Sequence, residues 1–584
     1  MQVTIMKGRL AARSLLFFAF LGTTFSQTPS PDPAVDIEKL KNERRTRLLE
    51  SIQADAAQLQ LPENRAVVNS KLGAAIWKTD QEHGRKLFNK AIDDLIAAQQ
   101  FAESSKNAGR YYDLLNSQSL RPQVLNAIAA ADAEFALECL SRSRPSAVDR
   151  AMSAGPASSK ISSNYGNQGY LAQNEINLEL RFARMAAEQK PEKALAILKD
   201  NIRKKLSGET LNLLRSLLEK DAAAAGDLGN DVVSRLNGRS FMTDNQINFE
   251  LVNLANSMIY EHVRERGQNE KSLGLEDAGI RSLTEKTINL YLTHAAQTGY
   301  VPLQQLEPAA RKYFPATIEK LRSVAQNTRW RGDGFFSDPE YTKLMEGNPS
   351  AEALINAAKK FPLETRRSIY LTAANKFAEA GNFENGLTIL NQNFEGDSLE
   401  SAVNSLRSHN ANLLIQKGEF GAAEAMILEF EDNQRNQAFV SLAHSIYNAN
   451  PDENRSRAIG ILARARAFLP EKPENQEEMS QLFSLMGALA SIEPAEAFRN
   501  FEPIVDLLNQ LADASALVNS FQNNNVRQGE FILTNGSQFG VYIDQGIIRS
   551  LGQKDFDRTW NLVDSFSRRE MRILTRLDQL EYGL

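Results

Sequence analysis

With 584 residues, 42% of them apolar and 24% charged, the chain is too long for one ordinary core and too apolar to be disordered, so several units or an elongated array are expected. Its 67 Lys and Arg stand against 72 Asp and Glu, a net charge of -5 without large blocks of one sign, which excludes the concentrated basic face of a nucleic-acid groove. A single cysteine, Cys139, allows no internal disulfide, so the fold must rest on burial.

Residues 1–26 read as an export signal. Lys7, Arg9 and Arg13 precede the apolar run Leu15 to Leu21, and Thr24 and Ser26 supply small residues for cleavage ahead of Gln27. That run is shorter than the ~20 residues a spanning helix takes. The expectation is a periplasmic or extracellular protein with no integral membrane segment once the signal is removed and, lacking a cysteine at the cleavage point, no lipid anchor there.

Residues 27–140 read as N-terminal helical hairpins. After Pro29 to Pro33, Ile37 to Gln60 forms an amphipathic helix; Pro62 opens the next and Asp80 precedes a third, with Trp77 and Phe88 on apolar faces. A second hairpin runs from Pro122 to Leu140, and Cys139 at an apolar helical position in it is expected to act as a buried small hydrophobe. Residues 141–173 are rich in Ser, Gly and Asn and read as a linker or long loop. Helical periodicity over 174–326 predicts helices from Asn174 and over Leu211–Leu218, Ala222–Leu236, Asn245–His262, Leu283–Thr298 and Pro308–Ala325. Residues 327–349 form a Gly/Pro-rich break that contains Arg331-Gly332-Asp333, an adhesion tripeptide short enough to arise by chance.

Residues 350–584 form the most regular array. Two copies of one pattern, Ala378 to Leu390 and Gln416 to Ile427, place Gly381 and Gly418, 37 residues apart, at helix ends, with Phe383 and Phe420 opening the next helices. A small residue follows three places later, at Gly386 and Ala423, where two helices can approach closely. Extended along the chain, the register gives Gly84, Ala136, Ala194, Gly386, Ala423, Ala458, Ala497 and Thr559, each followed four residues later by Phe88, Leu140, Leu198, Leu390, Ile427, Leu462, Phe501 and Val563. A period drifting between 35 and 39 over Gly386 to Ala497 predicts an all-α solenoid of degenerate helical hairpins. Asn535-Gly536 matches a hairpin turn, but Gly540 to Leu551 returns to helical spacing, which favours helix there.

At Gly381-Asn382-Phe383 and Gly418-Glu419-Phe420 the chain resembles tetratricopeptide-like repeats. The stretches Leu61-Pro62-Glu63-Asn64-Arg65, Trp77-Lys78-Thr79-Asp80 and Glu493 to Phe498 resemble exported helical-repeat proteins of acidobacterial type. To that group no activity is attached, so the resemblance implies fold and export and transfers no catalytic residue.

None of His83, His262, His294, His409 and His444 lies within four residues of another, so the helical zinc-hydrolase pattern is absent. Gly536-Ser537-Gln538-Phe539-Gly540 is not a nucleophile elbow, and no phosphate-cradling Gly-Lys-Ser/Thr loop occurs. No catalytic residue, metal ligand or cofactor is therefore assigned. His409 and His444 each stand 14 residues before the small residue of their unit, equivalent positions on neighbouring first helices ~10 Å apart. They are the candidate groove-lining residues, with packing in the framework as the favoured reading. The leading expectation is a scaffold whose concave face holds a protein or peptide; the alternative is a polysaccharide or cell-wall hydrolase on a helical superhelix or toroid with loop carboxylates.

Overall fold

A computed structural model describes residues 33–582 apart from 105–119, 154–167, 330–340, 534–543 and short gaps at 189, 205, 244–245, 268–269, 299, 342–343, 346 and 523–525. The export signal, the Arg331-Gly332-Asp333 tripeptide and Asn535-Gly536 lie outside the described residues.

Helix α1 (Pro33–Ala56) leads into paired helices: α2 (Pro62–Ile76) with α3 (Gln81–Ser104), and α4 (Leu120–Ala131) with α5 (Ala133–Arg142). After the short α6 (Ser146–Ser153) come α7 (Gln168–Ala186) with α8 (Pro191–Lys204), α9 (Glu209–Leu218) with α10 (Ala222–Gly238), and α11 (Phe249–Val263) with α12 (Asp277–Thr293). One turn, α13 (Ala295–Thr298), precedes α14 (Leu303–Tyr313) and α15 (Ile318–Arg329). Beyond the break, α16 (Ala351–Ala358) precedes α17 (Leu363–Glu379) with α18 (Phe383–Asn393), α19 (Gly396–Gln416) with α20 (Phe420–Ile427), and α21 (Asp432–Ala449) with α22 (Pro451–Ala467). The series ends with α23 (Gln476–Ile492) and α24 (Pro494–Phe501), the inserted α25 (Val505–Phe521), α26 (Gln545–Lys554) with α27 (Phe556–Asp564), and α28 (Arg569–Tyr582). Strand among the described residues amounts to two hairpins of two-residue strands, β1 (Met242–Thr243) with β2 (Gln246–Ile247) and β3 (Val526–Arg527) with β4 (Glu530–Phe531). The protein is an all-α solenoid.

The helix boundaries follow local chemistry. Asp132, Asp221, Asn248, Asn450, Asn475 and Asp555 cap helices by accepting from the amide three residues on, and Pro62, Pro451 and Pro494 occupy first turns where an amide would be unused. Gly381 and Gly418 have φ of 81° and 76°. The amides of Asn382 and Glu419 reach back to Phe377 O and Leu414 O at 2.7 and 2.9 Å, the six-to-one bond that closes a helix through a left-handed glycine.

All sixteen register positions are buried, and none of the eight apolar members is more than 1% exposed. A Cβ on Gly386 would stand 2.8 Å from Ala374 O on α17, and one on Gly84 would stand 2.9 Å from the Trp77 ring. The small residue is thus where the second helix crosses the first. Cys139 is fully buried, and burial pushes its thiol up to about 12.

Two features go beyond the sequence reading. Within 141–173, Val148 and Ala151 are buried on α6, and α7 begins at Gln168, so apolar contacts turn part of that polar stretch into helix. A hairpin that the sequence pattern does not announce lies at Gln528-Gly529, whose φ values of 52° and 78° fit a two-residue turn.

First helices stack on first helices: α2, α4, α7, α9, α11 and α14 in succession, and α17, α19, α21, α23, α26 and α28 in succession. The second series does not stop at the C-terminus. Helix α28 packs on α1 and α2, so one hydrophobic core joins Leu48, Ile52, Leu72 and Ile76 to Ile427, Phe439, Leu485, Ile573 and Leu577. In space the array starts at residue 341, runs through the C-terminus into the N-terminus, and ends at Arg329.

The junction of α28 with α1 and α2 carries a buried polar clasp. Glu530, on β4, accepts from the amides of Gln60 and Leu61 at 2.8 and 3.2 Å. Asn64, fully buried, donates to Phe531 O at 2.7 Å and accepts from the Leu533 amide at 2.7 Å. Arg527 meets Glu63 at 2.6 Å, and Arg572 and Arg576 on α28 each meet Asp55 at 2.8 Å. A two-residue hairpin, too short to be stable by itself, is held here by its bonds to α2.

Candidate binding surface

In the C-terminal array the second helices α18, α20, α22 and α24 lean on the first helix of the next unit, while α17, α19, α21, α23 and α26 also touch one another. A two-layer array packed more closely in one layer curves toward it, so the first helices line the concave side.

The open face of that layer has a distinct composition. On α21 the outward positions are Gln434, Gln437, Ser441, Ser445 and Asn448; on α23, Ser480, Ser484, Gly487 and Ser491; on α19, Ser401, Ser405, Ser408 and Asn412. These recur every three to four residues, one face of each helix. From Asn436 to Asn450 and from Met479 to Ile492 there is no Asp, Glu, Lys or Arg, whereas α22 between them carries Asp452, Glu453, Arg455, Arg457, Arg464 and Arg466. The faces of α21 and α23 present hydroxyls and amides with the charged α22 behind them, whereas the first helices α17 and α19 also expose Glu364, Glu379, Asp397 and Glu400. The switch in composition from α21 through α22 to α23 is a sequence signal that the register of buried residues does not contain.

His409 and His444 are half-buried on α19 and α21, neighbouring first helices, beside this face. His409 Nε2 lies 3.4 Å from Glu379 Oε1 of α17. Burial lowers the pKa of His444, so its ring is neutral at neutral pH and adds no charge to the face. The sign follows: the unfolded imidazole titrates near its ordinary ~6.5 and the folded one below it. Stability is therefore complete above about pH 6.5 and is lost as pH falls from there through the folded pKa. Subtracting the denaturation free energy of His444→Gln from that of the wild type should leave a difference that is flat above about pH 6.5 and declines below it; a difference flat throughout would contradict the burial.

A cluster of titratable groups lies elsewhere. Asp277 Oδ1, at the start of α12, accepts from Lys312 Nζ at 2.6 Å and Tyr313 Oη at 2.7 Å and lies 3.3 Å from His262 Nε2. The Lys312 bond, seconded by Tyr313, holds the Asp277 carboxyl well below the usual carboxylate range, the same bond raises Lys312, and burial raises Tyr313. Carboxylate, ammonium and neutral phenol are each stabilised as they stand, so these three join α12 to α14, with His262 of α11 beside them, rather than move protons. The residues span 51 positions, too far apart for a sequence pattern to connect.

A surface depression lined by Trp77, Gln81, Glu82, Arg85, Lys86 and Asp132 contains two carboxylates. Glu82 is taken up by Lys86 at 2.7 Å, and Asp132 by Arg85 and the Phe135 amide. Neither is poised as the acid or nucleophile that glycoside hydrolysis requires. Among the described residues no group of three or more His, Cys, Asp or Glu is placed to hold a metal ion, and no helix is long and apolar enough to cross a membrane.

No family model and no curated protein matches the sequence. Among solved structures the chain aligns with a "circular tandem repeat protein with novel repeat topology and enhanced subunit contact surfaces" over 91% of its own length and 96% of the other, at 13% identity and a TM-score of 0.16. A TM-score of that size carries no argument, and the architecture rests on the contacts described above.

Proposed function

We propose that this is an exported scaffold whose first-helix face takes an extended, uncharged segment of a protein partner. The supporting observation is the uncharged face of Ser, Asn and Gln side chains on α21 and α23, with the charged α22 behind it and Ser401, Ser405, Ser408 and Asn412 of α19 extending it. Hydroxyls and amides both donate and accept, the chemistry that matches a peptide backbone. Rows of them ~10 Å apart suit an extended chain crossing successive helices, as solenoid grooves allow.

The test is capture of a partner from the exported fraction, followed by titration against the triple variant Gln437→Glu, Ser441→Glu, Ser484→Glu. These positions are exposed, so folding should be kept within ~0.5 kcal/mol each, while affinity should fall at least tenfold, about 1.4 kcal/mol. Equal binding by the variant would move the site off this face, and sugar release from an envelope preparation would replace the scaffold with a hydrolase. Export is tested separately by N-terminal sequencing of the released protein, expected to begin at Gln27.

A further inference from the structure

Helix α25 stands outside the succession of hairpins. It buries Val505, Leu508, Ala512 and Ala516, and Asn509 and Asp513 tie it to the turn after α27, through Ser565 O and the Ser567 amide at 2.9 Å each and Arg568 at 2.6 Å. Its opposite face is also apolar. Leu511, Val518, Leu517 and Phe521 are 40%, 53%, 74% and 90% exposed, and Ala514 is exposed with them. A helix apolar on two faces belongs between two layers, and the described residues cover only one.

The exposed positions 511, 514, 518 and 521 are spaced three, four and three, the a and d seam of a two-stranded coil. The sizes are arranged symmetrically about residue 516. In an antiparallel pair Leu511 of one helix would meet Phe521 of the other, and Ala514 would meet Val518. Large side chains then close both ends, while the small central ones let the axes approach. The only charges on α25 are Asp506 and Asp513; Asp513 is held by Arg568 and would stand opposite Asn519, so no like charges face across the seam. The absence of Lys and Arg from α25 argues against a membrane-surface helix, which carries them on its polar face.

We propose that this stripe is a homodimer interface in which two copies pair α25 with α25, antiparallel, about a two-fold axis beside residue 516. One helical stripe sits at the lower limit of a specific interface, roughly 1,000 Å² in total, so the dimer should form in the micromolar range.

The test is sedimentation velocity of the full-length mature protein from roughly 1 to 100 micromolar. The wild type should pass from monomer to dimer. Phe521→Asp should remain monomeric, its midpoint raised at least about 100-fold, because a two-fold interface buries the charge twice. Its circular dichroism melt should be unchanged; if it does not fold, Val518→Asp serves in its place with the same readout. Orientation is read by oxidation, which the buried Cys139 does not join. Ala514→Cys protein mixed with Val518→Cys protein should cross-link faster than either alone. A wild type that stays monomeric, an Asp variant that dimerises like it, or faster linking of like variants would each overturn the proposal.

Discussion

Asn64→Ala should open the molecule where its two chain ends meet. The side chain is fully buried, and its loss strands the Phe531 carbonyl and the Leu533 amide, which it now satisfies at 2.7 Å each, and removes a weaker bond to Glu530 at 3.4 Å. A buried polar group left without a partner costs about 1 to 3 kcal/mol, so the expected loss is about 3 to 5 kcal/mol. The exposed ion pair at the same junction does not compare. Arg47 and Asp557 lie 2.8 Å apart with side chains 47% and 80% exposed, and such pairs contribute about 0 to 1 kcal/mol, so Asp557→Ala should be nearly silent. Peptide-resolved hydrogen exchange should show α1, α2, β3, β4 and α28 losing protection together in Asn64→Ala, with α9 to α12 unchanged. Loss confined to residues 526–533 would mean the hairpin is an ornament and the chain ends are held by the apolar core alone.

The second large effect separates two substitutions that look equivalent in sequence. Leu390 and Ile427 occupy the same register position in neighbouring units, and both are fully buried, so either change to Ala should cost about 2 to 5 kcal/mol through lost contacts and the cavity left. Their surroundings differ. Leu390 lies in a core of Leu354, Ile369, Tyr370 and Leu406, at the end of the array that begins at residue 341. Ile427 lies in the core that also holds Leu48, Ile52 and Leu72. In a solenoid, stability is nearly a sum of neighbour terms, so Leu390→Ala should loosen α16 to α19, whereas Ile427→Ala should loosen α20 to α24 and also α1 and α2, more than 350 residues away in sequence. Identical exchange footprints would show that the junction of α28 with α1 and α2 does not transmit through its shared core.

The register was legible because it is local. Gly386 faces Ala374 O twelve residues earlier, and the turn at Gly381 between them is set by a glycine that alone adopts φ near 80° without strain. Contacts made within one hairpin leave a period in the sequence, and the same period located the buried small and large residues of every unit in the register. The polar concave face was written there too, in the uncharged stretches 436–450 and 479–492, but which way those helices curve depends on which layer packs more tightly, a property of several units together. The junction of the two chain ends left no trace in the chain. Asn64 and Glu530 are 466 positions apart, and nothing in Leu61 to Arg65 distinguishes an Asn that caps a local turn from one that holds a distant strand. The Asp277 cluster and the second apolar face of α25 are of the same kind: each residue is ordinary where it stands in sequence, and only the placement of α11, α12 and α14, or the uncovered side of α25, gives it a role. Helix periodicity encodes which side of an element is apolar; what comes to lie against that side is decided by packing between elements that the sequence separates.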